Sequence, residues 1–167
     1  MKSSGFGKIF NIVTDVLVIF AVLLAVLLAA PRFMGIKVFS VLSGSMEPEY
    51  HTGSLIYVKE VDYHELKEGD VITFMMDNEL VVTHRIAEVV PDEEDSSVIR
   101  YVTKGDANED KDGRLVHYKN VIGTPVFTIP YLGYVATYIQ TPPGSYIAIA
   151  AGAFLIMLTF LPDLKKK

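Results

Sequence analysis

Val71-Ile72-Thr73-Phe74-Met75-Met76 and Leu80-Val81-Val82-Thr83-His84-Arg85-Ile86-Ala87-Glu88-Val89-Val90 are two β-branched, apolar runs separated by Asp77-Asn78-Glu79. The turn signal Glu68-Gly69-Asp70 precedes them and Pro91 closes them. Runs of this composition with so short a polar connection pair as a hairpin. Outward from it, the same vocabulary repeats. Val38-Phe39-Ser40-Val41-Leu42, Ser54-Leu55-Ile56-Tyr57-Val58 and Val98-Ile99-Arg100-Tyr101-Val102-Thr103 read as strands, as do the later Val121-Ile122-Gly123 and Val126-Phe127-Thr128-Ile129. Polar stretches at Pro91 to Ser97 and Asp106 to Arg114 read as loops. Short strands with turn signals between them predict a mainly β domain, a small barrel or sandwich. There is no internal repeat and no low-complexity segment.

Both ends of the 167-residue chain have a different character. Ile12 to Ala30 is an almost uninterrupted apolar run ending at Pro31-Arg32. At about 1.5 Å per residue it is just long enough to cross ~30 Å of hydrocarbon. Asp15 lies in its first turn, within reach of the interface. Tyr146 to Leu161 is a second, shorter run, followed at once by Lys165-Lys166-Lys167 and preceded by the break Thr141-Pro142-Pro143-Gly144. The expected organisation is a transmembrane helix over 10–30, an extracytoplasmic β-rich domain over 32–144, a transmembrane helix over 145–161 and a cytoplasmic basic tail over 162–167. Lys2 and Lys8 face Arg32 and Lys37 across the first span, which gives little bias. Asn120 to Leu164, however, contains no Lys or Arg, and three lysines follow. The positive-inside rule then places the C-terminus, and with two spans the N-terminus, in the cytoplasm. The first run reads as a retained anchor rather than a cleaved signal: Ala29-Ala30 are followed by Pro31, and the run exceeds a usual signal core.

The chain has no cysteine, which excludes disulfides and thiol nucleophiles. Formal charge is −5, with Asp92-Glu93-Glu94-Asp95 the densest acidic run, so nothing suggests nucleic acid. The Gly105 to Gly113 loop is acidic, but its spacing does not match a Ca²⁺ loop, and neither a metal nor another cofactor is expected.

Ser43-Gly44-Ser45-Met46-Glu47-Pro48 can present a hydroxyl on a small turn close to the first span. Serine needs a base to become a nucleophile. Of the four histidines, His51, His64 and His117 lie in or beside polar segments. His84 sits among apolar strand residues, where an unpaired imidazole is costly, although a strand histidine is more often structural than catalytic. Imidazole titrates in the range serine activation requires, and its second nitrogen normally needs a carboxylate. The Gly105 to Gly113 loop supplies several: Asp106, Glu109, Asp110 and Asp112.

Taken in order, Ser43-Gly44-Ser45-Met46-x-Pro48, Thr83-His84-Arg85 and Gly105-Asp106-x-Asn108 with Asp112 further on resemble the type I signal peptidases. The similarity is greatest to the endoplasmic-reticulum-type branch of archaea, eukaryotic complexes and some Gram-positive bacteria. The stretch Gly123 to Tyr134 also resembles that branch, and the likeness runs from Val38 to Tyr134. The resemblance implies a membrane-bound serine endopeptidase that removes signal peptides from secreted preproteins, with Ser45 as nucleophile and His84 as base, where the main bacterial branch has lysine. Asp112 would orient the histidine, and Asp106 would shape the loop or share that role. Ser43 would join the backbone N–H of Ser45 as an oxyanion donor. Met46 and Pro48 would shape and pack the turn. Ala107 replaces the Asn common in the family. The implied partners are preproteins with A-x-A-like cleavage sites, the lipid bilayer and accessory membrane subunits. Two other readings stay open. In one, Lys59, Lys67, Lys104, Lys111 or Lys119 replaces His84 as base. In the other, the chain is a membrane-anchored β scaffold without catalysis.

Overall fold

The structure is a computed structural model that describes residues 5–76, 80–92, 95 and 98–164. The connection Asp77-Asn78-Glu79, Glu93 and Glu94 of the acidic run and the lysine tail lie outside the described residues. The chain divides into two compact units, one of Pro31–Val135 and one joining Met1–Ala30 to Ala136–Lys167.

The first unit holds seven strands: β1 (Ile36–Ser40), β2 (Leu55–Lys59), β3 (Val71–Met76), β4 (Leu80–Pro91), β5 (Ile99–Lys104), β6 (Val116–His117) and β7 (Val121–Ile129). They form an antiparallel sheet in the order β1-β2-β7-β3-β4-β5-β6. The expected barrel or sandwich is thus a single strand order with β1 and β6 at its edges. The hairpin forms in the register Ile72 opposite His84 and Phe74 opposite Val82. Leu66, Ile72, Phe74, Ile86, Tyr101 and Val116 make the core beneath it. Full burial of a large aliphatic or Phe side chain stabilises by roughly 1.5–3 kcal/mol. The buried Tyr101 hydroxyl donates to the Tyr63 carbonyl at 2.9 Å, so its polar end is paired and much of its desolvation is offset.

The two late strands expected at Val121 and Val126 are one continuous β7. Pro125, between them, has no N–H for a ladder. It is accommodated opposite Val58, where the β2–β7 register shifts. β7 also changes partners here, pairing with β3 through Val121 and Gly123 and with β2 from Thr124 onward. Gly123 stands at this switch with φ +150°, and a Cβ there would lie 2.0 Å from the Lys59 carbonyl oxygen. Only glycine lets the two backbones approach so closely.

The other unit contains most of α1 (Gly5–Phe33), most of α2 (Leu132–Gln140) and all of α3 (Gly144–Leu164). α1 is apolar all round and its large side chains, Ile12, Val16, Ile19, Phe20 and Leu23 among them, are exposed. Such a helix has no packed protein interior to explain its composition. Among the described residues, its Gly7–Phe33 stretch is the one helix long and apolar enough by itself to cross a membrane. α2 is a helix that the strand-and-turn reading did not anticipate. α2 and α3 meet the same measure only when taken together, across a 90° bend. The expected second span, 145–161, lies within α3, which does not meet that measure by itself.

Candidate active site

Ser45 sits on the turn between β1 and β2. Its neighbour Met46 is 2% exposed and plugs the turn into the domain, which leaves the serine partly accessible above it. Strand alternation does the rest of the positioning. His84 and Ile86 point to the buried face of β4, and Thr103 lies opposite Ile86 on β5. Arg85 necessarily points the other way.

The resulting geometry is a chain of polar contacts. Ser45 Oγ lies 3.1 Å from His84 Nε2, and His84 Nδ1 lies 2.6 Å from Asp112 Oδ2. The Thr103 hydroxyl donates to the same Asp112 oxygen at 2.6 Å, and the Asp112 N–H donates to the Thr103 carbonyl at 2.8 Å. The carboxylate is thereby held on both its side chain and its backbone. His84 is 8% exposed, so the imidazole is largely shielded from water. The Phe74 ring meets it edge-on, 6.5 Å between centroids. Ser43 Oγ stands 3.3 Å from Ser45 Oγ.

Asp106 goes elsewhere. It takes a two-pronged bond from Arg85, Nε to Oδ1 at 2.9 Å and Nη2 to Oδ2 at 2.7 Å, while Arg85 Nη1 donates to the Gly69 carbonyl at 2.8 Å. The hydrogen bond to Asp106 is the main reason the guanidinium is held above its usual pKa. This clamp ties the Asp106 loop to the turn before β3. It was not recognised in the sequence, although Arg85 directly follows His84 and strand alternation already assigns it to the opposite face.

Two further contacts join the loops of Ser45 and Asp106. The Ala107 N–H donates to the Ser45 carbonyl at 2.9 Å, so position 107 contributes through its backbone. Beside it, a Cβ on Gly105 would fall 2.6 Å from the same Ser45 oxygen and 2.7 Å from Asn108 Nδ2. The asparagine can swing away, but the Ser45 backbone cannot without moving its hydroxyl. Gly105→Ala is expected to lower any reaction that depends on Ser45 by about tenfold to a hundredfold, since displacements near 1 Å carry such costs. It should also lower stability by about 1–3 kcal/mol from overpacking. Initial rates and thermal midpoints of the two chains check this.

The other histidines are not in this constellation. His51 pairs with Glu47 in the loop after Ser45, His64 with Asp62 at 2.9 Å, and His117 Nδ1 accepts from the Lys119 N–H at 3.1 Å. Glu47 is held below the usual carboxylate range by the His51 bond first and the Thr52 N–H second. Of the lysines, Lys104 reaches the Glu109 carbonyl at 3.0 Å, Lys111 pairs with Glu88, and Lys119 lies over the Tyr118 ring. Among the described residues, no cluster of three or more His, Asp or Glu has the disposition of a metal site.

A hydroxyl, an imidazole and a carboxylate in series are the arrangement by which a histidine can activate a serine. Residues 13–133 match the family model described as signal peptidase, peptidase S26. The chain is 49% identical over 92 residues to Signal peptidase I W of Bacillus subtilis (strain 168), covering 54% of this chain and 47% of that protein. It is 31% identical over 127 residues to Signal peptidase complex catalytic subunit SEC11C of Rattus norvegicus, covering 70% of this chain and 65% of the relative. Signal peptidase complex catalytic subunit SEC11 of Lachancea thermotolerans is 36% identical over 110 residues, covering 60% of this chain and 64% of that protein. The chain belongs to the signal peptidase family, on its endoplasmic-reticulum-type branch. It spans about half to two thirds of the length of these curated relatives.

Proposed function

We propose that this chain is a membrane-bound serine endopeptidase that cleaves signal peptides from secreted preproteins through an acyl-enzyme. The observation that carries this is the continuous series Ser45–His84–Asp112, with contacts of 3.1 and 2.6 Å, in a chain of the signal peptidase family. Ser45 Oγ attacks the scissile carbonyl as His84 Nε2 takes its proton. Asp112 accepts from Nδ1 and so holds the ring in the tautomer that leaves Nε2 free to accept. The oxyanion that forms is held by the Ser43 hydroxyl and the Ser45 N–H, a contribution worth about 10²–10³ in rate per donor in comparable sites. His84 then gives its proton to the leaving amine of the mature protein. A water, deprotonated by the same imidazole, hydrolyses the ester and releases the signal peptide.

The substrate is an extended segment with small residues in an A-x-A-like pattern. β1 supports this, because it is a sheet edge whose chain leads directly to Ser45 and can accept an added strand. α1 forms one span and the α2–α3 pair supplies the return, leaving the β domain outside and both termini in the cytoplasm. The cavity lined by Asn11 and Asp15 of α1 and Thr159 of α3 supports this return, since it brings the C-terminal end of α3 beside the N-terminal third of α1. Confining enzyme and preprotein to one bilayer raises their effective concentration. The relatives named as catalytic subunits of a complex support accessory membrane subunits as partners.

The test is the full chain in liposomes with a preprotein carrying an A-x-A site. Cleavage after the second small residue is expected, only for preprotein on the face exposing the β domain. Processing that persists in Ser45→Ala would instead favour the non-catalytic scaffold. Processing that persists in His84→Ala would favour a lysine base.

A further inference from the structure

Within the helical unit, a cavity of about 160 Å³ lies between α1 and α3, lined by Phe10, Asn11, Thr14, Asp15, Leu158 and Thr159. Its hydroxyls are already used: Thr14 donates to the Phe10 carbonyl at 3.0 Å and Thr159 to the Ile156 carbonyl at 2.6 Å. Asp15 is exposed and forms no ion pair or hydrogen bond among the described residues. In the structure Asp15 lies inside the apolar Gly7–Phe33 stretch, where a carboxylate favours a cationic partner. We infer that this notch is a binding site for the Lys or Arg side chains at the start of the substrate's signal segment. The inference rests on the peptidase reading and on the orientation given above.

Depth and charge both favour this occupant. Asp15 lies fifteen residues before Ala30, or about 22 Å along the helix. A signal segment has a positively charged start and an apolar core of 7–15 residues, which as a helix covers roughly 10–22 Å. A core at the long end of that range, lying beside α1 in the same bilayer, brings its basic start to the level of Asp15. The notch then carries the opposite charge at the depth where the substrate's charge arrives. Asp15 thereby contributes to substrate binding and takes no part in bond cleavage.

The test uses the full chain in liposomes and two preproteins, one with a basic start and one with those residues changed to Gln. Cleavage kinetics are joined by photo-crosslinking from the preprotein's start to α1, measured in the uncleaving Ser45→Ala chain. Asp15→Asn should raise KM for the basic preprotein by about fivefold to tenfold, leave kcat unchanged and leave the neutral preprotein unaffected. Crosslinking of the basic preprotein should fall in parallel. Asp15→Lys should weaken binding further, and a preprotein with Glu at its start should restore it. Equal effects on both preproteins, as expected if Asp15 serves only the chain's own helices or its lysine tail, would overturn the inference. So would no effect on either. Asp15-dependent crosslinking without cleavage by the parent chain would uphold this site while sinking the peptidase reading.

Discussion

Replacing Ser45 or His84 by alanine is expected to lower preprotein cleavage by about 10⁴- to 10⁶-fold, and replacing both should lower it little further. The two side chains act on one proton. Without His84 the serine stays a neutral hydroxyl, and without Ser45 the imidazole has nothing to activate, so either loss removes the same step. The 3.1 Å contact between Oγ and Nε2 is what makes them a unit. Single-turnover rates in liposomes measure this directly. If His84→Ala lost only a few-fold, or if the two losses multiplied, the groups would be working independently.

The second large effect separates two aspartates that look equivalent in the chain. Asp112→Ala should cost about 10³–10⁴ in kcat with little change in KM, because the imidazole loses both its tautomer and its orientation. Asp106→Ala should cost about tenfold, because its partner is Arg85 and it acts by holding the loop that carries Asp112. Arg85→Ala should then mimic Asp106→Ala, and the double change should add little to either. Asp112→Asn keeps the shape and loses the charge, so it should remain near the alanine value. Asp106→Asn, which can still accept one bond from Arg85, should recover part of the loss. The thermal midpoint of each variant separates these losses from mere unfolding. The reverse pattern, with Asp106→Ala dead and Asp112→Ala active, would exchange the two roles.

Much of this domain was legible because strand chemistry is local. β3 and β4 were bounded within a residue by Gly69 before them and Pro91 after, and the apolar face of β4 already singled out His84. The two late strands merge into β7 because Pro125, which has no N–H to give a ladder, is tolerated where the register slips. α2 was not legible, since Leu132 to Gln140 is aromatic and β-branched enough to fit either element, and its start is set by tertiary contact. A Cβ on Gly133 would lie 2.3 Å from the Ser54 carbonyl oxygen, a close approach that no local pattern encodes. At the site, the motifs brought Ser45, His84 and the Gly105 to Gly113 loop into view, and Asp112 as the partner of His84 came only from the family resemblance. Asp106 and Asp112 share one polar loop, and only the fold aims one at His84 and the other at Arg85. Thr103 lay in plain view on β5, yet its bond to Asp112 depends on how the loop after β5 folds back on that strand, which the sequence does not display.

The most direct measurement is the covalent intermediate itself. The full chain in liposomes is mixed with a short preprotein, quenched in acid within the first turnover, digested and mapped by mass spectrometry. An acyl-enzyme mechanism predicts one new ester, joining the carboxyl end of the signal peptide to the Ser45 oxygen, present in the parent chain and missing from His84→Ala. A signal-peptide adduct on another residue, or cleavage within the first turnover that never passes through an ester at Ser45, would contradict it.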